Sequence, residues 1–186
     1  VLNHYYWLWD AAVPKEVCEF VMNTCDWKLA EDGTVYDADS NSFVKDDKLR
    51  TSDVIWAPEL SVIGCIAASY IKAANQVAKW NYAYDWMEQI QIGRYRKDGH
   101  YDWHKDVFSP NEKNEQRKLS MSILLNDPSE FDGGGLKFKE LEDFQQPTLK
   151  QGSVIVFPSF LEHMVTPVTH GERYSAVTWV NGPAFC

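Results

Sequence analysis

Metal chemistry is the first possibility the residue types raise. His104-Lys105-Asp106 sets an imidazole and a carboxylate two positions apart, and in a strand residues i and i+2 share a face. One more donor would complete a two-His-one-carboxylate set, which grips a ferrous ion on one side and leaves the opposite positions open. His163 is the best candidate, lying just after the apolar run Val154–Phe157. His100-Tyr101-Asp102 repeats the spacing on the same face, but His100 follows Gly99 at a strand mouth, whereas Asp106 leads into apolar Val107-Phe108. His170 competes less well with His163, because His170-Gly171 reads as an exposed turn. Arg173 adds a second chemistry. If the segment after it is a strand, Arg173, Ser175 and Trp179 share one face. A guanidinium turned toward a metal is costly unless an anion meets it. A dicarboxylate would match its fork, with the Ser175 hydroxyl as a further donor. Singly, each residue has an ordinary explanation: a surface His-x-Asp, a strand-end His, an Arg paired with neighbouring Glu172. Their ordered combination carries the information.

The elements that must position these groups divide the chain in two. Pro14–Cys25 and Pro58–Lys79 carry apolar residues at helical spacing, Val17, Phe20 and Val21 in the first and Ile63, Ala67, Tyr70 and Ala74 in the second. Between them, Glu31–Lys48 is rich in Gly, Asp, Ser and Asn, Asn41 included, and reads as a mobile hairpin or lid. After Trp86 the period changes to two. Short strands are predicted at Glu88–Tyr95, Tyr101–Asp106, Leu119–Leu125, Leu136–Leu141, Ser153–Phe157, Met164–Val168 and Tyr174–Val180. Turn signals such as Asp98-Gly99 and Gly133-Gly134-Gly135 separate them. The expectation is an α+β chain with an antiparallel jelly-roll core and N-terminal helices. It reads as a single domain, residues 1–85 forming helical support and lid and 86–182 the jelly-roll core.

With 186 residues, 45% of them hydrophobic, the chain can build a core and is not a disordered segment. Its net charge of −9 argues against gripping nucleic-acid phosphates or an anionic membrane surface. No run of residues is apolar for long enough to span a bilayer. Cys18, Cys25, Cys65 and Cys186 form neither a disulfide framework nor a zinc signature. The first three are expected on helices and reduced, which points to a cytoplasmic location. Val1–Asp10 lacks a basic n-region and does not read as a signal peptide, although the Val1 start leaves room for a lost leader.

The order Tyr95, Tyr101-Asp102-Trp103-His104-Lys105-Asp106, Arg117-Lys118-Leu119-Ser120, Leu125-Asn126-Asp127, Gly133-Gly134-Gly135-Leu136, Gly152–Pro158, His163, Pro167–Tyr174 and Trp179 resembles the 2-oxoglutarate- and Fe(II)-dependent dioxygenases of the prolyl-hydroxylase type. The likeness runs strongly over 86–182, with Arg50-Thr51-Ser52 and the helices less specific. The family's Tyr-x-x-His-x-Asp pattern selects His104 over His100. The resemblance implies a double-stranded β-helix with His104, Asp106 and His163 as iron ligands. Arg173 would bind the distal carboxylate of 2-oxoglutarate, Tyr95 would contact its inner end, and Tyr101 and Trp179 would line the pocket near the reacting carbon. It also implies O2 as co-reactant, ascorbate to keep iron ferrous, and a prolyl residue in a peptide or protein as substrate. The acidic balance suits a neutral or basic peptide. Two departures stand out: Arg173 replaces the Lys of collagen-type members, aligning the chain with the oxygen-sensor and bacterial branch, and Leu124 replaces a cosubstrate-binding Tyr. Trp179 stands where nucleic-acid demethylases of the superfamily carry a second Arg. The competing readings are a hydroxylase of a free amino acid or other small molecule, and a non-enzymatic cupin-like metal-binding module.

Overall fold

The computed structural model describes residues 2, 4–37, 39–40 and 42–185; Val1, Asn41 and Cys186 lie outside the described residues. In chain order the elements are β1 (Trp7–Trp9), α1 (Lys15–Asn23), β2 (Glu31–Asp32), β3 (Val35–Asp37), β4 (Ser42–Val44), β5 (Arg50–Thr51), β6 (Asp53–Ala57) and α2 (Val62–Val77). Then come β7 (Trp86–Met87), β8 (Ile90–Tyr95), β9 (His100–His104), β10 (Glu115–Leu124), β11 (Phe131–Gly133), β12 (Leu136–Phe138), β13 (Val154–Pro158), β14 (His163–Val165), β15 (Val168–Gly171) and β16 (Arg173–Pro183). A major sheet runs β1-β13-β10-β16-β8-β6-β2, with β7 added against β16, and a minor sheet runs β12-β14-β9-β5. Every pairing within them is antiparallel. The fold is the expected α+β jelly roll.

The two faces of the major sheet do different work. On one, α1 and α2 cover it: Ile63, Ala67, Ile71 and Ala74 form a stripe along α2 that packs with Met121, Ile123, Val154, Val156, Ala176 and Val180. The Ser61 side chain caps α2 by accepting from the Gly64 backbone N–H at 3.3 Å. Gly64 is required there, because a Cβ would fall 2.1 Å from the Glu59 carbonyl oxygen. The opposite face looks toward the minor sheet. Leu136, Phe138, Ile155, Phe157 and Leu161 fill the space between them at one end, and the remainder stays open as a cavity.

The first half is not purely helical, as its periodicity suggested. β1 pairs with β13, β6 with β8 and β5 with β9, so residues before Trp86 build edges of both sheets. These strands are two to five residues long, too short for a period to emerge, and β6 runs directly into the Pro58 turn. The helices also begin and end inside the predicted spans, leaving Cys25 beyond α1. Cys18, Cys25 and Cys65 are unbridged. The predicted strand Met164–Val168 is broken at Thr166-Pro167: Pro has no N–H to give a ladder, and the chain leaves the minor sheet there to pair β15 with β11. His170 is therefore a strand residue opposite Asp132, exposed but not in a turn. Within Glu31–Lys48, β3 and β4 do form a hairpin, whose Tyr36 and Phe43 rings pack on Phe108. No helix among the described residues is long and apolar enough to cross a membrane.

Candidate active site

Register brings the two imidazoles together. β9 and β14 are neighbours, and His104 lies directly opposite His163. Asp106 follows two residues past the end of β9, where its backbone N–H donates to the Ser159 carbonyl at 3.0 Å. His104 Nε2 is 3.7 Å from Asp106 Oδ1, and His163 Nε2 is 3.5 Å from Asp106 Oδ2. One potential ligand atom from each of the three lies within 4.8 Å of the others.

The surroundings prepare these groups as ligands. His104 Nδ1 sits 2.7 Å from the Asp102 carbonyl and His163 Nδ1 3.0 Å from that of Leu161. A carbonyl can only accept, so each Nδ1 carries the proton and each Nε2 keeps a lone pair for a metal. Burial, reinforced by His163, pushes the His104 pKa down to about 3, so this imidazole is neutral at physiological pH. Burial would raise the Asp106 pKa, but the neighbouring His163, His104 and Arg117 and the Ser120 hydrogen bond outweigh it and hold the carboxyl ionised. Ser120 Oγ donates to Asp106 Oδ2 at 2.7 Å, and Ser159 Oγ stands 2.9 Å behind it. Two imidazole nitrogens and one carboxylate oxygen suit Fe(II) in hardness and number. His100 is excluded from this group. Its ring contacts the Asp98 and Lys48 carbonyls instead, at 2.9 and 3.2 Å.

β16 supplies the adjoining wall. Arg173, Ser175, Val177 and Trp179 alternate along it and all line the cavity that holds the triad. Arg173 is 2% exposed, and its Nη1 donates to Ser175 Oγ at 3.0 Å. Its guanidinium lies 5.4 Å over the ring of Tyr95, its partner on β8. Burial lowers its pKa, yet a guanidinium keeps its proton in proteins. No carboxylate stands within ion-pairing distance among the described residues; Glu172, the nearest in sequence, accepts from the Tyr174 hydroxyl. A buried, uncompensated cation facing a cavity is a seat for an anion. Gly134 leaves room for the Arg173 side chain. A Cβ at Gly134, which has φ +62°, would stand 2.8 Å from Arg173 Cδ.

The remaining wall is aromatic. The Tyr101 ring stacks on His104 with centroids 3.4 Å apart and planes 4° from parallel. Burial raises the pKa of its phenol, which stays protonated. Trp179 packs under Arg117, 3.8 Å from its guanidinium carbon, and its buried indole N–H has no hydrogen-bond partner. Arg117 is held by Glu88 through two bonds of 2.6 Å. Among the wall residues to which the sequence assigns no role are Arg50, 5% exposed, and Gln91, whose Oε1 accepts from Arg50 Nη2 at 2.6 Å. Arg50 sits on a two-residue strand, where no period marks it, and only the Arg50-Thr51-Ser52 likeness hinted at it.

Residues 90–181 match the family described as the 2OG-Fe(II) oxygenase superfamily. A PKHD-type hydroxylase of Teredinibacter turnerae is 34% identical over 89 residues, covering 46% of this chain and 39% of that protein. The chain thus spans about two fifths of that relative's length. Among solved structures, the viral collagen prolyl hydroxylase of Paramecium Bursaria Chlorella virus-1, in complex with 2OG, superposes with a TM-score of 0.74 over 97% of each chain at 22% identity. A Trichoplax adhaerens prolyl hydroxylase, in complex with a hypoxia inducible factor oxygen degradation domain peptide fragment, does so with a TM-score of 0.68 at 18% identity, covering 96% of this chain and 84% of that one. The matched stretch contains all three triad residues and Arg173, and the same jelly roll carries it: residues 90–181 of the chain belong to the 2OG-Fe(II) oxygenase superfamily, on a fold shared with these two prolyl hydroxylase structures.

Proposed function

We propose that this chain is an Fe(II)- and 2-oxoglutarate-dependent dioxygenase that hydroxylates a prolyl residue in a peptide or protein. The observation that carries the reading is one cavity holding both a three-donor metal set and a buried guanidinium without a carboxylate partner. When bound, Fe(II) and 2-oxoglutarate supply oxygen activation for a C–H bond, with O2 consumed and succinate and CO2 released. His104, Asp106 and His163 hold the metal, and the backbone carbonyls behind the imidazoles fix their aim. Arg173 takes the far carboxylate of 2-oxoglutarate through its fork, with Ser175 as neighbouring donor and Tyr95 flanking the chain of the diacid. Tyr101 and Trp179 bound the space where the reacting carbon must sit. The β3–β4 hairpin, packed on Phe108, serves as the lid that excludes water once a peptide is in place. Ascorbate is the expected reductant for iron that oxidises off-cycle.

The test is succinate release from 2-oxoglutarate with Fe(II), O2 and a library of proline-containing peptides, read beside the peptides' gain of one oxygen. His104→Ala should abolish both signals. Succinate without peptide oxidation, but with oxidation of a free amino acid, would move the substrate to small molecules. No turnover with either class would leave a cupin-like metal-binding module and overturn the proposal.

A further inference from the structure

Beside the metal cavity lies a second one of about 330 Å³, bounded by the segment carrying β2–β4 and by the turn after β8. Arg50 lines both, so the two share a wall. The chain is acidic overall, at −9, yet here five cations meet only three carboxylates. Two of these, Asp32 and Asp47, lie 2.9 and 3.5 Å from the same Lys45 ammonium. The third, Asp53, offers one oxygen, Oδ2, to Arg94 at 2.8 Å and to Arg96 at 2.6 Å. Glu172, whose charge also reaches Arg96, accepts from the Tyr174 hydroxyl.

Arg50 and Lys97 are left with no ion-pair partner among the described residues. For Arg50 this matters, because it is 95% buried. Its hydrogen bonds all go to neutral acceptors, Nε to Ser52 Oγ at 2.9 Å, Nη1 to the Thr34 carbonyl at 3.1 Å and Nη2 to Gln91 Oε1 at 2.6 Å, and its guanidinium carbon lies 4.7 Å from the centre of the Tyr101 ring. These fix the plane of the guanidinium without neutralising it, and a buried charge so placed gains most from an incoming anion.

We infer that this cavity is a subsite for an acidic side chain of the substrate: a peptide with its proline at the metal places an Asp or Glu carboxylate among Arg50, Arg96 and Lys97. The inference rests on the peptide reading above and narrows it. It also reverses the expectation drawn from net charge. At physiological ionic strength charges are screened beyond about 8 Å, so the local excess of cations governs a bound side chain more than the whole-chain −9 does.

The experiment uses the iron- and 2-oxoglutarate-loaded chain and proline peptides that differ only by Asp against Asn at one position, scanned outward on both sides of the proline. At one or two positions Asp should raise kcat/KM about fivefold to tenfold over Asn, through KM, and added salt should erode the difference. In Lys97→Gln and in Arg96→Gln the Asp/Asn ratio should fall toward one, while Lys72→Gln, on exposed α2 surface, keeps it. Hydroxylation with equal rates for Asp and Asn peptides at every position would overturn the subsite alone. A ratio unmoved by either cavity variant would do the same. Failure to hydroxylate any proline peptide would overturn the peptide reading and the subsite with it.

Discussion

On the proposed function, Arg173 and the triad would divide one task between charge and coordination. Because the guanidinium touches Ser175 and Tyr95 but none of the three metal donors, the two functions should separate on substitution. Arg173→Ala should raise the KM for 2-oxoglutarate about 100-fold, since removing one partner of a buried charged contact costs a few kcal/mol, and leave Co(II) or Mn(II) affinity near wild type. Equal loss of both, measured by calorimetric titration, would refute the division. Behind the triad, Ser120→Ala removes the donor to Asp106 Oδ2 and should weaken metal binding about tenfold, the scale seen when a ligand loses its supporting hydrogen bond. That His104, Asp106 and His163 stand together could be anticipated from type and spacing once the family likeness had chosen His104 over His100, and Arg173 drew notice only in combination with them. Arg50, Gln91 and Ser120 were not legible, because their roles come from partners 14 to 41 residues away.

At the level of elements, strand β16 links core and site. Its residues 173, 175, 177 and 179 face the cavity, while Ala176 and Val180 face the helices. Gly134 guards one end of that strand. With φ +62° and Arg173 Cδ in the way of any side chain, Gly134→Ala should cost about 1–3 kcal/mol of stability and also raise the KM for 2-oxoglutarate. Circular-dichroism melts beside kinetics would check it, and an unchanged KM would show that Arg173 is not braced there. Sequence pattern found the longer strands β8, β10 and β16 and both helices, where alternation or a stripe is sustained, and found β13 by its unbroken apolar run. It missed β1, β5 and β6, whose strand character comes from the neighbours they pair with rather than from their own few residues.

For the whole molecule, the buried site should make stability depend on pH. In the metal-free chain His104 stays neutral down to about pH 3, whereas an unfolded chain takes up that proton near 6.5. Between those values the unfolded state binds more protons, so stability rises with pH and falls as pH drops from about 6.5 toward 3, by up to about 1.4 kcal/mol per unit. Asp106, with its carboxyl held low, adds a loss of the same sign below about pH 4. The melting temperature of the chelator-treated protein should therefore fall between pH 7 and 5, and His104→Gln should flatten that slope; a level wild-type profile would contradict the burial argument. Strand β16 carries one more consequence. Deleting a single amino acid near its start would turn every later side chain to the opposite side, presenting Ala176 and Val180 to the cavity and the Trp179 indole to the helices. Heredity can thus edit this ribbon by substitution, or by losing residues in pairs, but not one at a time.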